Sequence, residues 1–126
     1  ELNCETDFVA RTEQFQTFAH DLALHIAASA PKYMEATDVP ADVLEAERSI
    51  ARNRALQEGK PEKVVDKIIE GRLDKYYQDV CLMRQPYVRD DSITITDLLK
   101  RTIASIGENV IIRRFVRWEL GEEVGA

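Results

Sequence analysis

Apolar side chains recur every three to four residues through most of this chain and every second residue near its end. Between Thr12 and Ala30, Phe15, Phe18, Ala19, Leu22, Ala23, Ile26, Ala27 and Ala30 fall at i, i+3, i+4, i+7 and i+8. That spacing predicts a helix with one wide apolar stripe, with Thr12 as its N-cap and Pro31 as its stop. A second helix is predicted from Ala41 to Glu58, opened by Pro40, closed by Gly59, and carrying Val43, Leu44, Ile50 and Ala51 on one face. Its charge density marks a solvated outer helix. A third is predicted from Pro61 to Tyr77, where Val64, Val65, Ile68, Ile69, Leu73, Tyr76 and Tyr77 keep the helical period. Gly71 lies inside it at a cost of about 1 kcal/mol relative to Ala, which calls for a close approach to that face or a bend.

The period then changes. Val80 to Val88 is rich in strand formers but interrupted by Pro86, the pattern of an edge strand or of a strand ending in a turn. Ser92 to Ile106 carries Ile95, Leu98, Leu99, Ile103 and Ile106, a fourth, shorter helix that Gly107 terminates. From Asn109 to Leu120, Val110, Ile112, Arg114, Val116, Trp118 and Leu120 alternate with the residues between them. A long final strand follows, with Trp118 or Phe115 buried on one face or the other and with edges that a second copy of the chain would cover. Leu2 and Cys4 read as the end of another strand. The predicted class is α+β, a small antiparallel sheet of about three strands packed against about four helices in a single domain over residues 1–126.

Composition narrows the function. With 44% hydrophobic residues in 126 the chain can build a core, which excludes disorder. The longest uncharged runs, such as Leu22 to Ala30, are far shorter than the roughly 20 residues of a membrane-spanning helix. A net charge of −6 argues against unspecific binding to nucleic acid. The stretch from Arg48 to Lys75, net +3, is interrupted by acids and short of aromatics, a poor RNA surface. Cys4 and Cys81 are too few for a secreted scaffold and are expected to be buried free thiols in a reducing compartment. The chain opens at Glu1 without Met or leader and reads as cut from a longer protein.

Catalytic chemistry is not visible. His20 and His25 are five residues apart, about 140° around a helix, so they cannot share a metal from one face. The five glycines never cluster into a phosphate loop, and the carboxylates from Glu58 to Glu70 alternate with lysines as on a solvated surface. No catalytic residue, metal or cofactor is expected, and no enzyme. One segment stands apart: Asn3-Cys4-Glu5-Thr6-Asp7-Phe8-Val9-Ala10-Arg11. There a strand ends, Thr6 or Asp7 caps a short turn, and Phe8 and Val9 come next before the long helix. Two readings stand. In one, Phe8 is carried outward on a rigid corner and enters a partner's pocket. In the other it folds inward as a core staple.

The segment ELNCETDFVAR resembles the signature of bacterial and organellar elongation factor Ts, the guanine-nucleotide exchange factor for elongation factor Tu. LALHIAAS before Pro31, Glu47-Arg48, Gly59-Lys60-Pro61, Glu70-Gly71-Arg72, Gln85-Pro86-Tyr87-Val88, Arg114-Phe115 and Gly121-Glu122 are similar to that family in the same order. Two departures accompany them. The family's N-terminal helical module is missing, which implies a weakened exchange factor, and ELNCETDFVAR leads almost directly into LALHIAAS, as in the short members that pair two copies. The resemblance therefore implies a homodimer and elongation factor Tu as partner, in a bacterial cytoplasm or an organelle stroma or matrix, without nucleic acid or membrane. It places the insertion motif on Thr6, Asp7, Phe8 and Val9. It also brings His25 and the Gln85 to Val88 loop, that is Gln85, Pro86, Tyr87 and Val88, toward the partner, though His25 reads equally as a half-buried helix-edge residue. The alternative is a passive dimeric scaffold with Phe8 in its core.

Overall fold

A computed structural model describes residues 1–123. The chain folds as two compact units, one made of Glu1–Ala30 together with Pro86 onward, the other of Pro31–Gln85.

In the first unit, strand β1 (Leu2–Cys4) leads through the short helix α1 (Asp7–Ala10) into the long helix α2 (Glu13–Ser29). The Thr12 hydroxyl caps α2 by accepting the Phe15 N–H, and Phe15, Phe18, Leu22, His25 and Ile26 form its buried stripe, as the spacing requires. Pro31 disfavours a further α-helical residue before it. The helix closes at Ala30 in the left-handed region (φ 45°), with the Ala30 N–H on the Ile26 carbonyl. After Pro86 come β2 (Pro86–Tyr87), β3 (Asp90–Thr94), α5 (Ile95–Ile106) and β4 (Val110–Ile112). The sheet is split. β1 pairs antiparallel with β4, and β2 pairs antiparallel with β3 across an irregularity between Pro86 and Tyr87. Ile95, Val110, Ile112, Tyr87 and Ile93 complete this unit's core.

The second unit is built on an antiparallel pair, α3 (Ala41–Gln57) and α4 (Glu62–Val80). They turn at Gly59, whose φ of 75° favours glycine. Ala51 and Ala55 on α3 meet Val65, Ile69 and Leu73 on α4. Small residues on one helix against branched ones at i, i+4 on the other allow close packing. At the far end, Lys32 and Tyr33 donate to the Val80 carbonyl (2.8 and 3.0 Å) and Leu82 donates back to Tyr33 (2.8 Å). Cys81 is thereby sealed beside Val39 and Val80. No helix among the described residues is long and apolar enough to cross a membrane.

The α+β class stands: among the described residues there are five α-helices and two sheets of two strands each. Boundaries differ from the sequence pattern in three places. The third helix continues to Val80, so only Pro86–Tyr87 of the Val80 to Val88 stretch is strand. Residues 92–94 belong to β3 and not to α5, because Thr94 and Asp97 form a capping box that starts the helix at Ile95. The largest correction is at the end: the strand expected from Asn109 to Leu120 is three residues, Val110–Ile112, and Trp118 is 70% exposed. Past Leu2↔Ile112 the Arg113 N–H still reaches the Glu1 carbonyl (2.9 Å) and the Glu1 amino group the Arg114 carbonyl (2.7 Å), but no strand among the described residues pairs with 115–120, and alternation without a ladder does not hold a strand. Nor does Gly71 accommodate a neighbour: apart from the adjoining residues and backbone of its own helix, no atom of the described residues lies within 4 Å of where a Cβ would stand.

Candidate functional site

The corner between β1 and α2 is assembled from side-chain caps. Thr6, in extended backbone, is the N-cap of α1, and its Oγ1 accepts the Val9 N–H at 3.3 Å. The Thr12 hydroxyl donates to the Val9 carbonyl at 2.7 Å while accepting from Phe15, so one threonine ends α1 and begins α2. Asp7 sits in the first turn of α1, the favourable end for a carboxylate. It pairs with Arg11 at 3.5 Å, but both side chains are largely exposed and such a pair contributes only about 0–1 kcal/mol.

Phe8 follows Asp7 and is 77% exposed. That overturns the reading in which it is a core staple, and with it the passive scaffold built on a buried Phe8. An exposed aromatic ring on a doubly capped turn is held where it can enter another molecule's apolar pocket with little further ordering. Val9, the next residue, is half-buried.

The second group of sequence candidates is arranged differently. His25 is fully buried on α2, and its Nδ1 accepts the Val88 N–H at 3.1 Å, so that nitrogen carries no proton in this arrangement. The Tyr87 ring lies tilted against it with centroids 6.0 Å apart. Burial pushes the Tyr87 phenol above its usual range, with Arg89 opposing and Asp21 adding; Arg89 and Asp21 pair at 3.3 Å. His25 is thus neither solvent-facing nor half-buried. It pins the backbone of the Pro86 to Val88 segment, whose outward side chains are Pro86 and Val88, the latter 51% exposed. Gln85 is buried in the second unit and donates from Nε2 to the Asp79 carbonyl at 2.9 Å. His25 stands twelve residues along α2 from Glu13, about 18 Å at the helical rise. The corner and the His25 group are therefore two separate surfaces.

Sequence reasoning missed two glutamates beside the corner. Glu108 accepts from both the Thr6 N–H (3.1 Å) and the Thr6 hydroxyl (2.8 Å), and Glu5 accepts the Asn109 N–H (3.0 Å). The residues lie more than a hundred positions apart in sequence, and nothing local to either announces the pairing. No group of three His, Cys, Asp or Glu among the described residues is placed to hold a metal ion.

The family model described as "Elongation factor TS" matches residues 16–122. Elongation factor Ts of Carboxydothermus hydrogenoformans is 57% identical over 122 residues, covering 97% of this chain and 56% of that protein. Those of Coprothermobacter proteolyticus and Geobacter metallireducens are 56% and 57% identical over the same length, covering 62% and 56% of those proteins. The chain thus spans somewhat more than half the length of the curated relatives it matches.

Proposed function

This chain belongs to the elongation factor Ts family, and on that footing we propose that it binds elongation factor Tu and promotes release of its GDP, the Asp7–Phe8 corner entering beside the nucleotide and its Mg²⁺. The observation that carries the reading is the exposed Phe8 ring, 77% accessible on a turn capped at both ends. A bound nucleotide owes much of its affinity to backbone N–H groups and a metal ion set around its phosphates. Displacing those groups by about an ångström weakens several interactions together. Exchange is then linkage: a factor that binds the empty partner more tightly than the loaded one weakens nucleotide by the same coupling free energy. No covalent bond changes. Thr6 and Val9 support the corner, while Pro86 and Val88, on a segment held by His25 through the Val88 N–H and the Tyr87 ring, offer a second contact. A second copy of the chain belongs to the same reading, supported by the exposed Val116, Trp118 and Leu120.

The test is stopped-flow release of a fluorescent GDP analogue from elongation factor Tu. Wild-type chain is expected to accelerate release, and Phe8→Ala, folded by circular dichroism, to lose most of that acceleration. Equal acceleration by both proteins would remove the corner from the mechanism.

A further inference from the structure

We propose that Glu108 is a positioning residue for the Phe8 corner, a role that rests on the exchange reading above and gives it a mechanical support. The β1–β4 ladder runs Leu2↔Ile112, Asn3↔Ile111, Cys4↔Val110. Continued by two steps, the same register sets Glu5 opposite Asn109 and Thr6 opposite Glu108. At those two steps side-chain carboxylates take over from backbone carbonyls: the Asn109 N–H goes to Glu5 Oε2 at 3.0 Å and the Thr6 N–H to Glu108 Oε1 at 3.1 Å. The two segments thus stay tied beyond the end of the sheet, up to the residue that caps α1.

The second oxygen of Glu108 determines how that cap works. A threonine hydroxyl has one proton and two lone pairs. Thr6 gives the proton to Glu108 Oε2 at 2.8 Å, which turns a lone pair toward the Val9 N–H. Glu108 therefore holds both the backbone and the rotamer of the residue on which the turn carrying Phe8 is built. A helix of four residues cannot sustain itself, so the direction of the Phe8 ring depends on such external bonds. Glu108 is itself fixed from behind. Gly107 closes α5 in the left-handed region (φ 83°), its N–H on the Ile103 carbonyl at 2.9 Å, and the reversal aims the next side chain back at Thr6. Support thus runs from α5 through Gly107, Glu108 and Thr6 to the exposed ring.

The experiment is a double-mutant cycle on catalysed release of fluorescent GDP from elongation factor Tu, using the full chain. Glu108→Ala is expected to slow release about tenfold or more, in line with the effect of misplacing a contact by about an ångström. Glu108→Gln, which keeps an acceptor oxygen for the Thr6 N–H but loses the second acceptor that takes the Thr6 hydroxyl proton, is expected to regain only part of the rate. In a Phe8→Ala background Glu108→Ala is expected to change the rate by less than about twofold, since residues acting through one group are not additive. Hydrogen exchange is expected to quicken at the Thr6 and Val9 amides of Glu108→Ala and to stay unchanged at the Phe18 amide. If Glu108→Ala does not fold, Thr6→Val, which removes the hydroxyl held by Oε2, takes its place in the cycle. Slowing by Phe8→Ala but not by Glu108→Ala, or two losses that multiply, overturns the positioning role alone. No slowing by Phe8→Ala overturns the exchange reading and the role of Glu108 with it.

Discussion

Replacing Phe8 by Ala separates a ring that works outside the fold from one that works inside it, and the structure fixes the size of the difference. Phe8 keeps 77% of its surface exposed, so less than a quarter is withdrawn from water on folding. Complete burial of such a side chain is worth roughly 1.5–3 kcal/mol, and a quarter of that is at most about 0.7 kcal/mol. Ala is the better helix former by about 0.5 kcal/mol, which offsets most of the loss. Phe8→Ala is therefore expected to leave unfolding free energy within about 0.5 kcal/mol of wild type. Phe18, on the apolar stripe of α2, is only 5% exposed, and its truncation is expected to cost about 3–5 kcal/mol. Urea unfolding followed by far-ultraviolet circular dichroism measures both. A loss above about 1.5 kcal/mol at Phe8, half the full-burial value or more, would mean that the ring packs against its own chain. The corner would then have nothing to insert.

Three further expectations concern the framework. Gly71 is exposed within α4 with open space where a methyl would go, so Gly71→Ala is expected to raise stability by about 0.5–1 kcal/mol in the same urea titration; a loss would reveal a neighbour on that face. Burial pushes the Cys81 thiol above its usual range, Arg84 opposing and Asp38 adding, whereas Cys4 is half-buried. Iodoacetamide at pH 8 should therefore label Cys4 in the native chain and Cys81 only in urea, and equal labelling rates by mass spectrometry would contradict the sealed environment. The Asp97 carboxylate is held below its usual range by the Thr94 N–H and hydroxyl, with lesser help from Lys100 and Arg101. A carboxylate lowered on folding stabilises above its unfolded pKa, near 4, and loses that contribution as pH falls through the lower folded value. Asp97→Asn should then lower the melting temperature at pH 7, with the gap to wild type closing below about pH 4; a gap that is constant down to pH 2 would remove the charge from the argument.

Helices were legible because each carries its own evidence within one turn. Thr12, Pro31, Pro40 and Gly59 punctuate stripes of three to four residue spacing, and α2 and α3 begin and end within a residue or two of where those marks fall. Where a mark went unread the boundary slipped. Thr94 and Asp97 are a capping box in plain sequence, and they shift the start of α5 by three residues, releasing Ser92 to Thr94 to a strand. The exposed Phe8 was legible only as one of two possibilities, because a ring next to an N-cap suits a staple or an anchor equally well. What decides between them is whether other residues fill the space behind α1.

Strands and the brace under the corner depend instead on partners distant in sequence, and alternation is silent about partners. Asn109 to Leu120 has the period of a strand throughout, yet beyond the register with Leu2–Cys4 the pairing goes on only through the bonds that tie Glu1 to Arg113 and Arg114. A period of two reports only that alternate residues would share a face if a ladder existed. Glu108 shows the same dependence on a finer scale. Next to Gly107 it reads as an ordinary charge after a helix, and only the register that sets it across from Thr6 gives both carboxylate oxygens a task. Moving that register by one residue would turn Glu108 to the other face of the ribbon and leave the Thr6 N–H and hydroxyl to water. The aim of the Phe8 ring is thus set by the pairing of two three-residue strands.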